Sequence, residues 1–162
     1  MDPDSMILLA VLVLMVAMSG YFSATETAFT SLNRIRLKSR ADNGDKKAEK
    51  TLALAEDYDK LLSTILIGNN IVNNVAATLS TLLFIDLIGQ ADGPAVSTIV
   101  LTVVVLIFGE ISPKSLAKES PEAFAMFSAP LLRLFMAVLT PLNYVFGQWK
   151  KLLTRLFHKE QD

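Results

Sequence analysis

The chain has no cysteine and a single histidine. The first absence excludes disulfides and thiolate metal centres, and the second excludes a zinc site built on imidazoles. His158 sits in a polar tail, where it reads as a solvated side chain. With no Ser–His pair and no His-rich motif, hydrolytic or zinc chemistry has little to work with. A Ser112–Lys114 dyad fails on geometry, because residues i and i+2 of a helix do not face each other. Basic residues are absent from the 86–94 turn: all fifteen Lys and Arg fall in residues 34–60, at 114, 118 and 133, or in 150–159. A basic leader is missing as well. Met1-Asp2-Pro3-Asp4-Ser5 carries acids where a signal peptide needs positive charge, so the first apolar run is expected to be a retained membrane span.

What is plentiful is apolar. Hydrophobic residues make up 52% of the 162 positions and the mean hydropathy is +0.44, which places the chain in a bilayer. The net charge of −1 identifies no partner, and nothing suggests nucleic acid. The expectation is an all-α membrane protein with three spans, about residues 6–30, 61–87 and 95–117. Residues 31–60 form a polar loop of short surface helices, with a turn at Asn43-Gly44. Glu119-Ser120-Pro121 breaks the third span. Residues 121–147 are apolar again but divided by Pro130, Arg133 and Pro141. A fourth crossing there would carry Lys150, Lys151, Arg155 and Lys159 to the opposite side from the 34–60 loop. The positive-inside rule therefore favours three crossings, with the N-terminus outside and the C-terminus cytoplasmic. Residues 121–147 are then a re-entrant or interfacial belt, with Tyr144 and Trp149 at interfacial depth. Residues 148–162 read as a basic lead-in to a cytosolic regulatory domain absent from this sequence.

Polar residues inside the spans mark the candidate site. Glu110 follows the uncharged, largely apolar run from Val96 to Phe108. Pro113 lacks the N–H that an α-helix would direct to the Gly109 carbonyl, leaving a free oxygen beside a carboxylate and a place for the span to kink. Ser23 and Thr27 share a face of the first span, with Glu26 beside them. Asn69, Asn70, Asn73 and Asn74 cluster on the second. Ser23, Asn70 and Glu110 each lie about seven to nine residues in from the cytoplasmic end of their span, roughly 10–14 Å deep. One level shared by three spans suggests one site. Hydroxyl, amide, backbone and carboxylate oxygens suit Mg²⁺, Ca²⁺ or Na⁺ rather than zinc or copper. A carboxylate at mid-helix is unfavourable by about 2.5–3.5 kcal/mol on insertion scales. A bound cation offsets that, and so does protonation. Plainer roles exist for each group: interhelical hydrogen bonds for Asn, Ser and Thr, an Arg34 partner for Glu26, a kink alone for Gly109 and Pro113, and neutralisation of Glu110 by Lys114.

Three motifs, Ser19-Gly20-Tyr21-Phe22-Ser23-Ala24-Thr25-Glu26-Thr27-Ala28, Ile67-Gly68-Asn69-Asn70-Ile71-Val72-Asn73 and Phe108-Gly109-Glu110-Ile111-Ser112-Pro113-Lys114, resemble in order the transmembrane domain of the CorC / cyclin M magnesium exporters. One departure is Ala24-Thr25, where that family commonly has Gly-Ser; Ser23 is unaffected. The resemblance implies three transmembrane helices and a juxtamembrane belt in the cell membrane, a homodimer, and Mg²⁺ efflux in exchange for Na⁺. It also implies a following pair of cytosolic CBS modules. Carried over by motif, Ser23, Asn70, the Gly109 carbonyl and Glu110 would hold a largely dehydrated Mg²⁺, with Glu26, Thr27, Asn69, Asn73 and Asn74 as secondary candidates. A passive cation channel, and a membrane anchor or Mg²⁺ sensor that regulates other transporters, are the rival readings.

Overall fold

The computed structural model describes residues 1–158; Lys159 and the rest of the basic lead-in lie outside them. It is helical throughout, without a strand among the described residues. Helix α1 spans Pro3–Ser31, α2 Arg34–Asp42, α3 Lys46–Glu56 and α4 Tyr58–Ile88. Then come α5 (Gly93–Val104), a π-helical segment (Val105–Ile111) and α6 (Ser112–Glu119), stacked end to end as one long rod. The chain closes with α7 (Pro121–Val138) and α8 (Thr140–His158).

Local chemistry fixes most boundaries. The Asp2 carboxylate accepts from the Ser5 N–H at 2.7 Å, ahead of Pro3 in the first turn; that hydrogen bond holds the Asp2 pKa below the ordinary aspartate value. Asn33 caps α2 through the Arg36 N–H, and Asp45 caps α3 through Lys47 and Ala48. Gly89, at φ 93°, ends α4 where a side chain would be strained. The polar stretch 31–60 thus contains the expected short helices.

Four stretches are long and apolar enough to cross a membrane: Pro3–Ser31, Tyr58–Ile88, Gly93–Glu119 and Pro121–Val138. The fourth departs from expectation in its continuity. Proline at 130 does not divide α7, which runs on to Val138, and the break falls at Leu139 instead. Nor is there a boundary near residue 147, because α8 is continuous across it.

Helix α1 is the central element, with α4, the π segment, α6 and α7 all packed on it. Phe22 is 1% exposed. Its ring lies against Gly68 of α4, where an added Cβ would come within 2.5 Å of the ring, and 5.1 Å from the Phe135 ring of α7. Lipid tails are as apolar as these side chains, so close approach rather than water exclusion makes such contacts favourable. At the far end, Ser80 and Ser97 share a buried hydrogen bond of 2.6 Å that ties α4 to α5. The polar contacts of α7 and α8 go to α2, the second half of α1 and the first turns of α4: Glu122 pairs with Arg36 at 3.4 Å, and the Ser128 carbonyl accepts from the Tyr21 hydroxyl at 2.6 Å. Asn143 donates to Thr64 at 2.9 Å, and Lys150 pairs with Asp59 at 3.4 Å.

Candidate functional site

The long rod changes register at its polar end. In an α-helix the Ser112 N–H would reach Phe108; here it donates to the Ile107 carbonyl, five residues back. In this wider register the next donor would serve Phe108, but it belongs to Pro113 and does not exist. The expected simple kink is thereby replaced by a π segment: Pro113 withholds a donor from Phe108 in this register, as it would from Gly109 in an α-helix. The Phe108 carbonyl faces α1, where a Cβ added to Gly20 would lie 2.9 Å from its oxygen and 3.1 Å from Pro113 Cγ. Gly109 is buried one step away, facing Ser19: a Cβ there would lie 3.0 Å from the Ser19 hydroxyl. Two glycines, one on each side, let the backbones approach this closely.

Two clusters of polar side chains line the seam. Ser23 donates to Glu110 Oε1 at 3.3 Å, and Lys114 Nζ lies 3.1 Å from Oε2 of the same carboxylate. Ser23 is 1% exposed, whereas the Glu110 and Lys114 side chains are 29% and 43% exposed. One helical turn along α1, Ser19 donates to Asn69 Oδ1 at 3.2 Å, and Asn73 Nδ2 donates to the same oxygen at 3.3 Å. That leaves Asn73 Oδ1 buried without a partner. An unsatisfied buried acceptor costs roughly 1–3 kcal/mol, so it calls for an explanation.

Ser23, Gly109, Glu110, Asn69 and Asn73 therefore lie along the α1–α4–π seam. Asn70 and Asn74 are exposed, and so is Glu26. Thr27 is half-buried and donates to the Ser23 carbonyl at 3.0 Å. Ser19 was not among the candidates, although its i, i+4 spacing from Ser23 marks the same face of α1. Among the described residues no three His, Cys, Asp or Glu side chains converge on a point. A cation held here would rest on one carboxylate and neutral oxygens, a set that suits a hard ion.

These features define a multi-helix membrane domain with a polar seam, one carboxylate and an interrupted helix. The model of the family described as the cyclin M transmembrane N-terminal domain matches residues 9–162, and the chain belongs to that family. It is 39% identical over 144 residues to the UPF0053 inner membrane protein YfjD of Escherichia coli K12, covering 89% of this chain and 33% of that protein. A UPF0053 protein of Haemophilus influenzae is 38% identical over 155 residues, covering 96% of this chain and 37% of its own. A chloroplastic DUF21 domain-containing protein of Arabidopsis thaliana is 30% identical over 135 residues, which is 83% of this chain and 20% of that one. The chain thus spans about a third or less of the length of these relatives.

Proposed function

We propose that this domain exports Mg²⁺ across the cell membrane by alternating access, in exchange for Na⁺, with the ion held in the α1–α4–π seam. The observation that carries the reading is the placement of Glu110, the carboxylate of the π segment, within hydrogen-bonding distance of Ser23 on α1. An acid inside a membrane span marks a functional site by default, although here Lys114 pairs with it. Asn73 Oδ1 is a further acceptor left without a partner, as is Asn143 Oδ1 outside the seam. In this reading Glu110 provides the charge, and Ser23, the Gly109 carbonyl and an amide of α4 provide neutral oxygens. Asn69 and Asn73 already face the seam; Asn70 enters it only if α4 turns by about 100°, one residue's worth of helix. Mg²⁺ gives up its water reluctantly, so ligands from three helices are needed to replace it.

The proposed topology has three crossings, with α7 as a belt. The contacts of α7 and α8 support it. From Glu122 to Asn143 a straight helix would advance about 30 Å, enough to reach the other end of the bundle. Asn143 instead bonds Thr64, near the start of α4. The basic segments then share the cytoplasmic side, with the turn near Gly89 outside. A homodimer, and a CBS-pair domain following the belt in the full-length protein, complete the proposal.

The test is Mg²⁺ efflux from loaded proteoliposomes under a Na⁺ gradient. Glu110→Ala is expected to abolish efflux, Asn69→Ala to reduce it strongly, and Asn70→Ala to do so only if α4 rotates. Full efflux from Glu110→Ala would defeat the assignment. The Lys114 contact favours one second reading, in which the Glu110 carboxylate is internally satisfied and the domain is an anchor or Mg²⁺ sensor. Purified protein that binds Mg²⁺ yet moves none would establish that instead.

A further inference from the structure

We propose that Lys114 is an internal competitor for the transported cation, occupying Glu110 between transport events and leaving when the ion arrives. This rests on the ion site proposed above. Both carboxylate oxygens of Glu110 are engaged, Oε1 by the Ser23 hydroxyl at 3.3 Å and Oε2 by the Lys114 ammonium at 3.1 Å. The two partners differ in kind. A hydroxyl presents a lone pair to a cation as readily as it donates to a carboxylate, so Ser23 can stay and become a ligand. An ammonium has donors only and repels a divalent ion a few ångströms away, so Lys114 must leave.

Its surroundings let it do so. The Lys114 side chain is 43% exposed against 29% for Glu110, so the base is the freer of the two. Its four-carbon stem is flexible and its head strongly hydrated, which allows it to exchange the carboxylate for water. The other ion pairs among the described residues, Arg36–Glu122, Arg40–Asp45 and Lys150–Asp59, all lie on the charged periphery around α2, α3 and the start of α4. The pair at Glu110 alone adjoins the seam, beside Ser23 and one helical turn from the Ser19–Asn69 contact. It spans the Pro113 junction, so the register change that places Glu110 against Ser23 also places Lys114 one turn beyond it.

Competition of this kind solves a transporter's problem. The carboxylate never remains an unpaired charge in the membrane when the cation departs, and the cation is bound weakly enough to depart. When Mg²⁺ binds, the Glu110–Lys114 pair breaks, the Glu110–Mg²⁺ contact forms, and the ammonium passes to solvent; no bond is made or cleaved.

Mg²⁺ titration calorimetry on the purified protein tests this. Lys114→Gln is expected to bind Mg²⁺ about tenfold more tightly than wild type, within the usual range for coupling between two ligands of one group. Lys114→Arg, which keeps the charge, should lie much nearer wild type. Unchanged or weaker binding by Lys114→Gln overturns the proposal. A second measurement needs no variant: carbodiimide should join Glu110 to Lys114 in the wild-type chain, and Mg²⁺ but not choline at matched ionic strength should suppress the cross-link. A cross-link that fails to form, or that Mg²⁺ leaves untouched, also overturns it. If wild type binds no Mg²⁺, or Glu110→Gln binds it as well as wild type does, the ion site itself fails and this inference with it. If Glu110→Gln abolishes binding while Lys114→Gln changes nothing, the competitor alone falls.

Discussion

Gly20→Ala probes the seam where α1 lies against the π segment. The new Cβ would lie 2.9 Å from the Phe108 carbonyl oxygen and 3.1 Å from Pro113 Cγ. Non-bonded contacts are most favourable near about 3.5–4.0 Å, so α1 must retreat from the π segment by roughly half an ångström. The obstacle is backbone and a proline ring, neither of which can rotate aside. Overpacking of this kind costs about 1–3 kcal/mol, against up to about 1 kcal/mol gained by replacing glycine with alanine in a helix. The clash wins by about 1 kcal/mol, which for a chain of this size lowers the melting temperature by about 2–4 °C. Under the proposed function the effect on efflux is larger. The Ser23–Glu110 contact is already long at 3.3 Å, and half an ångström more breaks it. Misplacement on this scale reduces the rate of a positioned reaction by an order of magnitude or more, so efflux should fall about tenfold. Thermal unfolding in detergent and proteoliposome efflux, measured on the same preparation, read both effects. A Gly20→Ala protein that melts at or above wild type and exports Mg²⁺ at full rate would refute the close approach and the role given to it.

Pro113→Ala restores the donor that the Phe108 carbonyl lacks; it should stiffen the segment and slow efflux about tenfold, with the melting temperature unchanged or raised. Undiminished efflux would remove Pro113 from the mechanism. Ser80→Ala deletes one half of the buried 2.6 Å pair with Ser97. It should cost about 1 kcal/mol of stability, within the range for hydrogen bonds between membrane helices, while leaving efflux per molecule intact. An unchanged melting temperature would mean that Ser97 finds another partner. The cysteine-free sequence suits accessibility mapping. Single cysteines at Asn43 and Gly147 should react with an impermeant maleimide from the same side of the membrane, and one at Gln90 from the opposite side. Reaction of Gly147 from the Gln90 side would mean that α7 crosses.

Much of the architecture was written in the one-dimensional pattern. Long apolar runs bounded by Asp2-Pro3, Gly89 and Ser120-Pro121 announce helices whose ends differ from the expected limits by only a few residues. The phase of a helix is harder to read. Adjacent asparagines differ by about 100° around α4, and the choice between Asn69 and Asn70 depends on Phe22 seating over Gly68, a contact between residues far apart in the chain. Register is harder still. Proline at 113 announced a missing donor, but not that the helix would widen for a full seven residues ahead of it. Pro130 carried the same signal and produced no break, because α7 simply forgoes one hydrogen bond there. The path of α7 is equally hidden, since its composition alone would allow a crossing.

The most direct test of the ion site is to locate the cation. Anomalous scattering from Mn²⁺ soaked into crystals of the domain should give a peak within about 2.5 Å of a Glu110 carboxylate oxygen, with Ser23 Oγ and an amide oxygen of α4 completing the contacts and Lys114 swung away. A peak elsewhere, or none while Glu110 keeps Lys114, would contradict the account.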